Sequence, residues 1–284
     1  MNLRANHTTT YLYSDSVSVC HTEVHLTPRS ARNQHLVEHE LSIIPAPGQT
    51  FPRKDYFGNN VTFFSIHEPH RSLTITASSL VEIEATLPLE PSLTPAWEQA
   101  RGEIWRDMEP HAMEEYQFVF ESPRIPVRPQ FAAYASVSFT PERPLLEAAM
   151  DLCHRVFEDF QYDTRATTVS TPVEQVFQSR RGVCQDFAHF TIACLRSLGL
   201  AARYVSGYLR SRSLIGGEAS HAWVSVFCPG FGWLDFDPTN DVLVNGNHVT
   251  LSWGRDYADV PPVQGIALGG GEHVINVSVN VKPA

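Results

Sequence analysis

The stretch "GVCQDFAHFTIACLRSLGL", residues 182–200, leads from a glycine into a cysteine and then into an apolar helix. Phe187, Phe190 or Thr191, Cys194, Leu195 and Leu198 recur at three- and four-residue spacings, and Gly199 supplies the stop. The pattern predicts a core-packed helix from near Cys184 to Leu198, with Cys184 in its first turn. Backbone N–H groups there have no intrahelical acceptor, and the helix dipole adds partial positive charge, so the position favours an anionic sulfur. The same N–H groups are able to hold an oxyanion.

On the N-terminal side, Leu145, Ala149, Leu152, Val156 and Phe160 mark one face of a further helix beginning after Pro144. A second starts at "TPVEQVF", where Thr171 is expected to cap, Pro172 to take the first turn and Glu174 to close a capping box, ending before Gly182. On the C-terminal side, "AARYVSGYL", "ASHAWVSVF" and "GWLDFDP" read as strands, and the chain closes on the alternating "VINVSVNV". Residues 1–85 read as short strands ("TTYLYS", "HTEVHLTPR", "VEHELSIIP", "NVTFFSIH", "SLTITASSLVEIE") divided by turn residues, which predicts an antiparallel β-sandwich. Residues 86–143 are a Pro-rich connector with one helix expected near "TPAWEQARGEIWRDM". The fold class is therefore α+β: an N-terminal β domain over 1–85, a connector over 86–143 and a helix-and-sheet domain over 144–284.

A thiolate that attacks an acyl carbon needs an acid to protonate the leaving amine, and a histidine suits that task near neutral pH. His221 begins a strand 37 residues after Cys184, and the next strand ends in "DFDPT". The imidazole needs a carboxylate to orient its second nitrogen. Asp235 and Asp237 lie on one strand face; Asp237, at the strand end before Pro238, is the choice, and Asp235 stays the alternative.

Composition bounds the rest. A net charge of −10 excludes a chain whose task is to neutralise phosphates, so no nucleic-acid partner is expected. No apolar window reaches membrane-spanning length and the N-terminus lacks a signal-peptide core, so no membrane partner and a cytoplasmic location are expected. Five cysteines, an odd number without paired spacing, fit a reducing compartment. Neither CxxC, HExxH, a phosphate loop nor a dinucleotide glycine pattern occurs, so no metal and no cofactor are implied.

Three blocks, "GVCQDFAHFTIACLRSLGLAARYVSGYL", "ASHAWVSVF" and "GWLDFDPTND", resemble the core of bacterial transglutaminase-like proteins, a group of candidate cysteine proteases. "HLTPR" and "FGNNVTFF" are similar to the N-terminal β domain of the same group. The resemblance implies a papain-like fold in which a helix bearing Cys184 packs on an antiparallel sheet. Residue by residue, it implies a catalytic set of Cys184 as nucleophile, His221 as base and acid, and Asp237 as orienting carboxylate. The substrate it implies is a peptide or protein amide, resolved by water in a peptidase or amidase and by an amine in a transglutaminase. A non-catalytic peptide-binding scaffold is the rival of another class. Glu218 stands where this group commonly has aspartate.

Other candidates carry plainer readings. Cys20, Cys153, Cys194 and Cys228 read as packing residues, His189 as a core histidine, Asp186 as a helix-start carboxylate, and Trp223 and Trp233 as core aromatics. Arg180 and Arg181 read as loop arginines, and "RSRSLIGGE" and "GRDYADVPP" as cleft-bordering loops.

Overall fold

The structure, a computed structural model, describes residues 1–85, 89–106, 113–210, 214–217 and 219–284. Fourteen strands and six α-helices are present among the described residues. The strands are β1 (Asn2–Val24), β2 (Gln34–Ile44), β3 (Thr50–Lys54), β4 (Asn60–Ile66), β5 (His70–Ile83), β6 (Gln161–Tyr162), β7 (Arg181–Gly182), β8 (Ala202–Leu209), β9 (His221–Cys228), β10 (Gly232–Asp237), β11 (Val242–Leu243), β12 (His248–Gly254), β13 (Val263–Gly269) and β14 (His273–Pro283). The helices are α1 (Trp97–Arg106), α2 (Met113–Tyr116), α3 (Pro129–Ala135), α4 (Leu145–Asp159), α5 (Val173–Ser179) and α6 (Cys184–Ser197).

The N-terminal sheet is antiparallel and curls on itself around β1, a 23-residue strand. The expected strands at "TTYLYS" and "HTEVHLTPR" are the two halves of this one element. Its first half pairs with β5 and β14, its second half with β4 and β13. The register with β5 shifts between Leu12 and Val17, and that irregularity lets the strand turn the corner. Leu73, Ile75 and Ile43 from one half then pack on Val17, Val24, Phe64 and Ile66 from the other, giving a sandwich-like core. Strands β13 and β14, which the sequence reading groups with the second domain, hydrogen-bond to β1 instead. Both ends of the chain thus build the N-terminal sheet, and the 144–284 boundary does not match this pairing. β3 is an element the strand pattern did not disclose.

The second sheet runs β11-β10-β9-β8-β12. α6 lies on it and is buried at every position from Cys184 to Arg196, so it is an enclosed helix rather than a half-exposed one. Phe131 of α3, Leu152 and Val156 of α4, and Phe187 and Phe190 of α6 share its core with Tyr204, Ala222 and Val224 of the sheet. Connector helices α1 and α3 therefore belong to the packing of this unit. Arg196, fully buried near the C-terminal end of α6, donates to the carbonyls of Ala202 and Arg255, where the helix dipole also favours a cation.

β12 ends the order of the second sheet, so among the described residues one of its edges has no neighbouring strand. Two buried amides from the N-terminal sheet cover that edge in the manner of backbone. Gln34 Nε2 donates to the Thr250 carbonyl (2.7 Å) while Thr250 N–H donates to Gln34 Oε1 (2.8 Å). Asn59 repeats the exchange at Trp253, at 2.8 and 3.0 Å. The guanidinium groups of Arg29 and Arg203 also stack on the Trp253 ring, 3.1 and 3.8 Å from its centre.

Candidate active site

Gly182 and Val183 lead into α6, and Asp186 closes its first turn. One Asp186 oxygen accepts the Val183 N–H (2.8 Å) and the Thr167 hydroxyl (2.6 Å). Burial raises the Asp186 carboxyl above its ordinary value, against the pull of those two donors. A Cβ on Gly182 would stand 2.5 Å from that oxygen, so only glycine permits the closure. Gly182→Ala is expected to lose about 1–3 kcal/mol of stability, as overpacked sites do, and to misplace the helix start. Denaturant unfolding together with the alkylation rate of Cys184 measures both effects. Thr171 does not cap α5: its hydroxyl accepts the N–H of Thr168 and finishes the preceding turn, leaving Pro172 as the cap without a side-chain bond.

Cys184 is 8 % exposed, at the first position of α6. The N–H groups of Cys184 and Gln185 precede the first intrahelical acceptors, and Gln185 is tied to the Val169 carbonyl. Tyr162 and Tyr204 neighbour the sulfur; burial first, then negative charge on Cys184, raises both phenols, Tyr162 to about 12.

His221, at the start of β9, is fully buried, and its Nε2 lies 2.8 Å from Asp237 Oδ2 at the end of β10. Among the described residues its Nδ1 has no hydrogen-bond partner, and the Cys184 sulfur is close enough to act on the charge of the ring. Burial alone would lower the His221 pKa, but Cys184 and Asp237 reverse that and raise it to about 10. A Cβ on Gly216 would sit 2.5 Å from Nδ1, and this glycine has φ +90°, a left-handed value; the backbone of that loop packs directly against the free nitrogen.

Asp237 is also fully buried and accepts three further donors: Thr239 N–H at 3.0 Å, Asn240 Nδ2 at 2.8 Å and His248 Nε2 at 3.3 Å. Burial pushes its carboxyl up, but the bonds from His221 and His248 outweigh it and hold the group well below the usual carboxylate range. Asn240 exchanges two hydrogen bonds with the backbone of Ile215, linking the loop that carries Gly216 to this carboxylate. Asp235 stands apart from the histidine and receives the Trp223 indole at 3.5 Å.

Several expectations meet their surroundings here. His189 accepts the Tyr257 N–H at 3.1 Å, and burial lowers its pKa to about 3, so it is a neutral core group. That bond pins the "GRDYADVPP" segment to α6, and Asp256 in the same segment accepts the Arg124 N–H. Arg180 points its guanidinium over Tyr134, Phe160 and Phe177. Trp223 is wholly buried, and Trp233 packs on Phe118 and Phe227. Of "RSRSLIGGE", residues 211–213 and Glu218 lie outside the described residues. Among the described residues no three His, Cys, Asp or Glu side chains converge as metal ligands would. A surface groove of about 640 Å³ lined by Arg101, Trp105, Phe120 and Leu198 lies at the far end of α6, roughly 20 Å along the helix from Cys184.

Three site residues escaped the sequence reading. Asn240 carried a signal, a turn-forming side chain three residues past Asp237 in "DPTN". His248 carried a weaker one, the alternation of "HVTLSWG", and Thr167 carried none.

Comparison with known proteins places this geometry in context. The bacterial transglutaminase-like N-terminal region matches residues 3–82, and the transglutaminase-like superfamily matches residues 133–238. An uncharacterized protein of Mycobacterium tuberculosis is 43% identical over 99% of this chain and 92% of its own length. A protein-glutamine gamma-glutamyltransferase of Pseudomonas aeruginosa is 29% identical over 37% of this chain and 19% of that protein. The crystal structure of a candidate cysteine protease from Cytophaga hutchinsonii superposes with a TM-score of 0.78, covering 100% of this chain and 90% of that one at 19% identity, which speaks to the fold.

Proposed function

The chain belongs to the transglutaminase-like superfamily, and we propose that within it this protein is a thiol-dependent acyl-transfer enzyme acting on amide bonds, a cysteine peptidase or amidase. The observation that carries the reading is His221, bonded to Asp237 through Nε2 and leaving Nδ1, unpartnered among the described residues, beside the sulfur of Cys184.

In this reading the Cys184 thiolate attacks the amide carbonyl carbon, forming a C–S bond while the carbonyl oxygen takes the electron pair. The N–H groups at the start of α6 receive that oxyanion. Collapse breaks the C–N bond, and the proton on His221 Nδ1 passes to the leaving amine. Water, deprotonated by the now neutral His221, adds to the thioester and expels the thiolate with the acid product. Asp237 keeps the imidazole oriented and supports its positive charge. An amine in place of water gives transfer instead of hydrolysis, a second reading supported by the likeness to the Pseudomonas gamma-glutamyltransferase. All five thiols are free, which supports a cytoplasmic, reducing location, and among the described residues no helix is long and apolar enough to cross a membrane.

The test is chemical. With p-nitrophenyl acetate, mass spectrometry is expected to find one acetyl group, on the peptide carrying Cys184. Iodoacetamide is expected to alkylate Cys184 well ahead of the other four cysteines, all buried; burial raises the thiol pKa of each, Cys228 to about 12. Absence of the adduct together with equal labelling of all five overturns the proposal. Release of acetyl-amine in place of acetate when a primary amine is added selects transfer.

A further inference from the structure

Asp237 is held by two histidines, and the second is no part of the reaction just described. His248 Nε2 reaches the same oxygen, Oδ2, that His221 uses. Asn245 N–H points at His248 Nδ1 at 3.4 Å, which makes Nδ1 the acceptor and assigns the ring proton to Nε2, the side facing the carboxylate. Trp223 meets the ring edge-on, 5.3 Å between centres, and His248 is 3 % exposed, so the imidazole has no room to swing.

His248 is the first residue of β12, and β12 is the strand whose open edge the N-terminal sheet covers. Gln34 exchanges two hydrogen bonds with Thr250, two residues from His248, and the Gln34 side chain is itself buried. Leu3, Val81 and Val281 of the N-terminal sheet pack on Val249 and Leu251 of the same strand. We infer that the N-terminal sheet is a positioning element for the candidate active site, acting through Gln34, β12 and the His248 ring to fix the carboxylate of Asp237. The inference rests on the proposed thiol chemistry and assigns the N-terminal domain a part in it.

A buried carboxylate with one rotatable donor is free to turn about its χ angles. With donors from Asn240, Thr239 and His248 arriving from separate directions, the oxygen facing His221 has a single place to be. Loss of the His248 donor leaves the other bonds intact, so a graded loss of rate is expected rather than abolition.

The acetylation rate of Cys184 by p-nitrophenyl acetate, on the full chain, reads this out. His248→Phe keeps a ring against Trp223 and removes the donor; the rate is expected to fall about tenfold to a hundredfold, the worth of one hydrogen bond to a charged group. His248→Gln, which restores an N–H near the Nε2 position, is expected to recover most of it. Gln34→Met is expected to slow the wild-type chain severalfold and to have little further effect in the His248→Phe background, the non-additivity of a shared path. In the unaltered chain, ¹⁵N correlation spectra are expected to show a proton on His248 Nε2, a measurement that holds even where a variant does not fold. A folded His248→Phe with the wild-type rate, a His248→Gln as slow as His248→Phe, additive Gln34 and His248 effects, or an Nδ1–H tautomer each overturn the inference. Failure of the wild-type chain to acetylate at Cys184 at all is a different result and strikes the proposed thiol chemistry.

Discussion

Cys184→Ala is expected to abolish acyl transfer while leaving the fold in place. The side chain is small, it stands at the helix tip, and its removal opens little space beside α6. Acetylation, turnover and iodoacetamide reactivity at this position disappear together, whereas the thermal midpoint moves by no more than a few degrees. The variant also tests the electrostatics. Negative charge on the sulfur is one of the influences that raise His221 to about 10 against its burial. Without the sulfur, burial opposes Asp237 alone, so the titration of the His221 ring is expected to move down toward the ordinary histidine value of about 6.5. An NMR titration of the ring follows this directly. A variant that keeps its turnover, or a ring whose titration does not fall, contradicts the pairing.

Asp237→Asn is the second large effect, expected to lower the acylation rate by about three to four orders of magnitude, as wrong-tautomer substitutions do in Ser-His-Asp triads. The amide cannot balance a charged imidazole, and its NH₂ group, wherever it is turned, meets a site built from donors: His221, His248, Asn240 and the Thr239 N–H. Asp235→Asn serves as the comparison, since among the described residues that carboxylate accepts the Trp223 indole at 3.5 Å and makes no hydrogen bond to His221. Equal losses at both positions would contradict the proposed orienting role of Asp237.

The same substitution has a signature in stability. The folded-state pKa of Asp237 lies below its unfolded value of about 3.9, so the unfolded chain binds the proton first as acid is added. The stabilisation from the ionised group is therefore present above about pH 4 and is lost as pH falls below it. Asp237→Asn is expected to be less stable than the parent at neutral pH, with the difference shrinking in acid. A gap in thermal midpoint that does not change with pH would speak against a low carboxyl pKa.

Much of this site could be read along the chain because its signals are local. A glycine, a cysteine and an apolar period marked the start of α6; Pro144 and the spacing after it marked α4; strand patterns around His221 and Asp237 put both residues on neighbouring elements. Caps and periods are set by residues within a turn or two of one another, and a linear reading sees them whole. Thr171 shows the limit even at short range, because its hydroxyl had two turns to choose from and closed the earlier one.

The tertiary structure alone decided which distant groups meet. Amino-acid order determined that a thiol begins a helix, that an imidazole begins the second strand after it and that carboxylates lie near the end of the next. It did not disclose that β1 is one strand shared by two halves of a sheet, that the last strands return to it, or that Gln34 pairs with Thr250 and His248 with Asp237. Those contacts join segments whose spacing along the chain carries no period, and each forms only because burial leaves a polar group with no water to turn to. Satisfying such groups is a property of the packed interior, where the partner is chosen by proximity in space rather than by sequence.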